Sequence, residues 1–144
     1  MEIKFTKKTN GHHLLTAIRT NGTVAQGHVV PGFGADALPH DLIHALVEKH
    51  LGLKRGVYGL INTGLTINEL MDYGKRKVNV NEPELTFSEG ATAQVQYCLA
   101  GLPVMVEVLS NDQLKAVLTE AQKYLELWQK LPDDQTLAIS LTHI

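Results

Sequence analysis

Residues 38–52, LPHDLIHALVEKHLG, bring His40, Asp41, His44, Glu48 and His50 within one short segment. On a helix turning about 100° per residue, His40, His44 and Glu48 fall successively near one face, with Asp41 beside them. Two histidines four residues apart can direct imidazole nitrogens at a single divalent ion, as in the zincin helix H-E-x-x-H. Here the pattern is H-D-x-x-H, and Glu48, one turn further on, supplies a candidate third ligand. A water in the fourth position of a zinc so held would have its pKa lowered towards about 7. The metal set expected from spacing is therefore His40, His44 and Glu48, holding zinc or another divalent ion, with metal-assisted hydrolysis as the chemistry.

Asp41 is the candidate catalytic carboxylate, as base or as the group that orients a histidine ring. Aspartate is one methylene shorter than the glutamate that acts as base in H-E-x-x-H, and such a displacement costs rate when the group must meet a metal-bound water. A role in fixing a ligand ring is the alternative. The site occupies the first turns of its helix, where the positive end of the dipole disfavours imidazolium and keeps His40 able to ligate. The same residues also suit a plain solvated face. Asp41 is favoured in a first turn, and His44 with Asp41 or Glu48 is a neighbour pair worth a few tenths of a kcal/mol. Because Leu42, Ile43, Leu46, Val47 and Leu51 form the apolar stripe, the four polar groups need not enter the core; His50 lies nearer that stripe.

Other chemistry-bearing residues have less around them. Cys98, in VQYCLAG, is the single cysteine; it sits in an apolar stretch without a nearby charge to activate it and is expected to be buried and structural. It excludes an internal disulfide and a cysteine-based zinc cluster. Lys54-Arg55 and Lys75-Arg76-Lys77 could touch phosphates, yet the formal net charge of -2 gives no general attraction to nucleic acid or anionic lipid. PGFGAD lacks the lysine and glycine spacing of a phosphate loop. His12, His13, His28 and His143 are expected on exposed strands or termini, although any of them could approach the helix in space. Glu82, Glu84 and Glu89 are expected to serve helix starts.

These residues must be positioned by a chain of 144 residues with 44% hydrophobic and 19% charged content, enough for one compact α+β domain over 1–144. Three short runs, IKFTKKT, HLLTAIRT and TVAQGHVV, are separated by Asn10-Gly11 and Asn21-Gly22. Asn-Gly suits a type I′ hairpin, so an antiparallel β-meander is expected, broken at Pro31, Gly32 and Gly34. The histidine-bearing helix should open near Asp36 to Pro39 and stop at Gly52. A short helix is expected within LKRGVYGLINTG. Thr66 with Glu69 reads as a capping box for a short helix that Gly74 can stop, followed by KRKVNVNEP as an exposed linker or short strand. Asn81 with Glu84 reads as a second box, opening a helix to Gly101 with Leu85, Ala91, Val95, Leu99 and Leu102 on one side. Gly90 should weaken that helix by about 1 kcal/mol relative to alanine. PVMVEVL, 103–109, fits helix or strand. Ser110 with Gln113 opens a last helix through Trp128, ended by Leu131-Pro132, and QTLAISLTH is expected to join the meander as its fourth strand. No stretch reaches the roughly 20 apolar residues of a bilayer span, and the N-terminus lacks a secretory pattern, so a cytoplasmic protein is expected.

HDLIH resembles the H-D-x-x-H of the zinc-binding coenzyme Q biosynthesis family. That family carries a further glutamate at the position matching Gly56, so its ligand set is incomplete here, with Glu48 as the available substitute. The longer run LPHDLIHALVEKHLGLKRGVYGLINTG is similar to the signature of a family of small bacterial proteins, L-P-H-D-L-x-H-x-x-V-E-x-x-L-G-L-x-x-G-x-x-G. These begin with short strands and end, like WQKLPDDQTLAISL, on Trp, Leu-Pro and a strand. The similarity implies a shared fold and brings no activity with it. Three function classes stay open: a metal-binding hydrolytic protein, a non-catalytic interaction domain forming homo-oligomers, and a nucleic-acid-associated accessory protein using the basic turns.

Overall fold

The computed structural model describes residues 1–29, 32–34, 36–71 and 82–144. Among these residues four strands, β1 (Glu2–Thr6), β2 (Leu14–Ile18), β3 (Val24–His28) and β4 (Thr136–Ser140), form one antiparallel sheet in the order β3-β2-β1-β4. The expected α+β class and the C-terminal fourth strand are both present, with β4 paired to β1. Alternation sets the inner face. Ile3 lies between Ala17 and Ile139, Phe5 opposite Leu15, and all five are buried.

The turns differ from the type I′ expectation. Gly11 and Gly22 have positive φ, and among the described non-glycine residues only Asp134 does, so neither asparagine takes the left-handed conformation. At β2–β3, Gly22 N–H donates to the Arg19 carbonyl at 2.9 Å and Arg19 N–H donates to the Thr23 carbonyl at 2.8 Å. This is a three-residue hairpin loop whose glycine forms a bulge. Asn21 contributes by its side chain, which accepts the Thr23 N–H at 3.0 Å.

Among the described residues five helices follow β3: α1 (His40–Leu51), α2 (Val57–Asn62), α3 (Ile67–Met71), α4 (Pro83–Leu99) and α5 (Asn111–Lys130). Gly52 closes α1 in the left-handed conformation at φ 64°. The Thr66–Glu69 and Ser110–Gln113 boxes are both formed. Asn81, Gly74 and most of KRKVNVNEP lie outside the described residues. Glu84 stands in the first turn of its helix as expected, and its carboxylate also accepts the Lys54 and Arg55 backbone N–H groups, while Glu82 pairs with the Arg55 guanidinium. Helix α4 ends at Leu99, two residues short of the expected Gly101, and Leu102 is exposed rather than on the packed side. Residues 103–109 are neither helix nor strand. They lie beside α4, with the Val108 and Leu109 N–H groups held by Gln94 Oε1 at 3.0 and 2.8 Å.

Helix α1 is the centre of the helical layer. It packs against α4, α5 and α2, and every residue from Asp41 to Val47 is buried, together with Glu48. Encirclement by other helices, rather than one-sided docking on the sheet, carries its polar side into the interior. The expectation that Asp41, His44 and Glu48 need not face the core is therefore corrected: each is 0% exposed.

Candidate functional site

The polar residues of α1 recur at i, i+4 and i+8: His40, His44 and Glu48. Ser88, Thr92 and Gln96 recur at the same spacing on α4, so the facing helices present two polar rows to one another. The rows meet in opposite senses. His40 Nδ1 lies 3.0 Å from Gln96 Oε1, His44 Nδ1 2.9 Å from Ser88 Oγ, and Ser88 Oγ 2.6 Å from Glu48 Oε2.

Three donors converge on the Glu48 carboxylate. Ser88 O–H and Val57 N–H donate to Oε2, the latter at 2.9 Å, and Tyr58 N–H donates to Oε1 at 2.9 Å. Helix α2 starts after Gly56 with no side-chain cap of its own. Glu48 reaches across from α1 to satisfy the first N–H groups that a helix start leaves open. The Ser88 proton points at Glu48, so the Ser88 oxygen accepts the His44 Nδ1–H. That makes Nδ1 the donating nitrogen of His44 and leaves Nε2 as its other ring nitrogen. This atom is buried and hydrogen-bonds to no other described residue, as is true of Thr92 Oγ1.

His40 is half-buried beside His44, with ring centroids 4.9 Å apart in an edge-to-face arrangement. Burial first, and then the neighbouring His44, lower its pKa from 6.5 to about 4, overcoming the Gln96 hydrogen bond that raises it. The neutral ring expected from the helix dipole is thus neutral chiefly through desolvation. Asp41 is fully buried, and its backbone carbonyl accepts the Tyr58 hydroxyl at 2.6 Å. Burial, with Asp41 and Glu48 nearby, raises the Tyr58 pKa well above its ordinary value, so the phenol stays a donor.

The structure brings His40, His44 and Glu48 onto one seam but gives Glu48 to backbone and serine donors. Among the described residues, no three His, Cys, Asp or Glu side chains converge so as to hold a metal ion. His50 and Lys49 leave the seam and pair with Glu120 on α5. His13 packs against Trp128, His12 against His28, and His143 Nε2 meets the Leu53 carbonyl, so the described contacts of these histidines lie away from the seam. Cys98 is half-buried, not fully enclosed as expected.

Sequence reasoning missed Ser88, Thr92 and Gln96. Their signal was the repeated i, i+4 polar spacing along α4. It also missed a cleft of about 340 Å³ where the seam reaches the surface, lined among others by Leu38, Ile43, Gln96, Leu99 and Leu125. Phe33 stands at the rim, 5.4 Å from the Tyr97 ring. Gln96 belongs to both features: it is the His40 partner and the buried polar residue among those lining the cleft.

No helix among the described residues is long and apolar enough to cross a membrane. No family model, curated protein or solved structure matches the chain.

Proposed function

We propose that this chain is a non-catalytic binding domain that holds a small organic molecule in the cleft between α1, α4 and α5. In this reading the H-D-x-x-H helix is the internal scaffold of the cleft. The observation that carries it is the engagement of Glu48: the carboxylate is fully buried and committed to Val57, Tyr58 and Ser88, which leaves it a strut rather than a ligand. The cleft supplies what a binding site needs, namely concavity, apolar walls and one fixed polar group.

A divalent metal on His40 and His44 is the second reading, favoured by one observation. Each ring has its Nδ1 held by an outer partner, Gln96 or Ser88, as metal-ligating histidines do. Two imidazoles fall short of the three protein ligands of a catalytic zinc, so hydrolysis is no part of this second reading.

Elemental analysis of untagged protein after dialysis against zinc separates the two. The binding-domain reading expects a metal content far below one per chain, unchanged in His44→Ala. Stoichiometric zinc that His44→Ala abolishes would overturn it in favour of the metal site.

A further inference from the structure

We infer that the cleft selects an uncharged or amine-bearing ring compound with a carbonyl acceptor, and that it discriminates against anions. This rests on the binding-domain reading and adds the class of ligand. The walls are apolar: Leu38 and Ile43 are buried, and Leu99 and Leu125 half-buried. Against them stands the Gln96 amide, 7% exposed. Its Oε1 is taken by His40 Nδ1–H, while its Nε2 donates to no described residue. Gln96 therefore offers a donor with its orientation already fixed. A ligand carbonyl satisfies that donor, and an analogue without an acceptor leaves it unpaired, a loss of about tenfold or more in affinity.

Charge narrows the class further. Asp36 is the one charged residue among the described lining residues, and none of them is Lys, Arg or His. An anion would meet a like charge at the rim and no counter-charge within, whereas an amine reaching Asp36 would be favoured. A volume of about 340 Å³ is near the lower end of the roughly 300–1,000 Å³ usual for ligand sites, which suits a single ring with short substituents.

The test is an NMR titration of ¹⁵N-labelled full-length protein at pH 7 with benzamide, 4-(aminomethyl)benzamide and benzoate. The two amides should shift the Gln96 side-chain NH₂ and the backbone amides of Leu38 and Leu99. Benzoate should bind about tenfold more weakly than benzamide. Gln96→Leu should abolish the preference for benzamide over toluene, and Asp36→Asn, on the exposed rim, should narrow the gap between benzamide and benzoate. Benzoate binding these residues as tightly as benzamide overturns the ligand class and leaves the binding-domain reading standing. If no probe moves the cleft resonances, both fall. The wild-type comparison decides the matter even where Gln96→Leu fails to fold.

Discussion

Gly56 makes room for the Glu48 carboxylate: a β-carbon at position 56 would lie 2.6 Å from Oε1 and 2.8 Å from Oε2. The glycine is not there for its backbone freedom, because its φ of -76° is open to any residue. It is there for space. A glutamate at this position, as in the coenzyme Q pattern, is incompatible with Glu48 where it stands. Gly56→Ala should therefore destabilise the fold by about 1–3 kcal/mol in urea unfolding. In the Glu48→Ala background the same substitution should cost much less, since its obstacle is gone. Strictly additive losses would show that the crowding is not with Glu48.

Removing Glu48 leaves the buried N–H groups of Val57 and Tyr58 and the Ser88 hydroxyl without their acceptor. Each orphaned group costs about 1–3 kcal/mol, so Glu48→Ala should be the most damaging change in the seam, at roughly 3 kcal/mol or more. Ser88→Ala should cost less, about 1–3 kcal/mol, because the principal orphan is His44 Nδ1–H. Calorimetric melting of both variants and their double mutant checks this; the double should fall well short of the sum, since the two side chains share a bond.

The sheet was legible because period-two alternation and Asn-Gly punctuation act locally, and β4 was legible for the same reason. The exact turn was not, since a type I turn with a glycine bulge draws on the same dipeptide. The capping boxes at Thr66 and Ser110 are equally local and were read correctly. What the sequence withheld was which side of α1 meets water. The spacing of His40, His44 and Glu48 was visible, but their enclosure depends on Ser88 and Gln96, 40 to 56 residues away. A polar row on one helix reads as solvated until the complementary row on its neighbour is found. Residues 103–109 stayed ambiguous because their environment is one helix flank, tethered through Gln94, which imposes neither period.

Stability should depend on pH through His40. In the unfolded chain its ring titrates near 6.5, and in the fold at about 4. Between those values the unfolded state binds more protons, so the His40 contribution is fully present above about pH 6.5 and is lost as pH falls towards 4. The shift sets a ceiling of about 3 kcal/mol, reduced by the ring's partial exposure. Urea midpoints at pH 7 and pH 5 should differ more in the wild type than in His40→Gln. The His40 ring proton resonances should also hold their neutral positions down to pH 5. An inflection near 6.5 would contradict the burial of this ring.

Gly90 lies in the middle of α4, and replacing it by alanine should gain about 0.8–1 kcal/mol of helix propensity. Opposing that gain, the new β-carbon would meet Val108 Cγ1 at 3.2 Å and Cγ2 at 3.5 Å, with Val106 Cγ1 at an ordinary 3.7 Å. The outcome depends on whether Val108 can yield. Val108 is 38% exposed, and the 103–109 segment that carries it has no sheet partner, so a shift of a few tenths of an ångström meets little resistance. Gly90→Ala should then stabilise the protein, by less than the full helix term. Adding Val108→Ala, which removes the crowding atoms, should make the effect of Gly90→Ala approach that full value. Urea unfolding of the four-member cycle measures both quantities. If Gly90→Ala destabilises with Val108 present and stabilises without it, the segment is held rigidly against α4 rather than tethered at Gln94 alone.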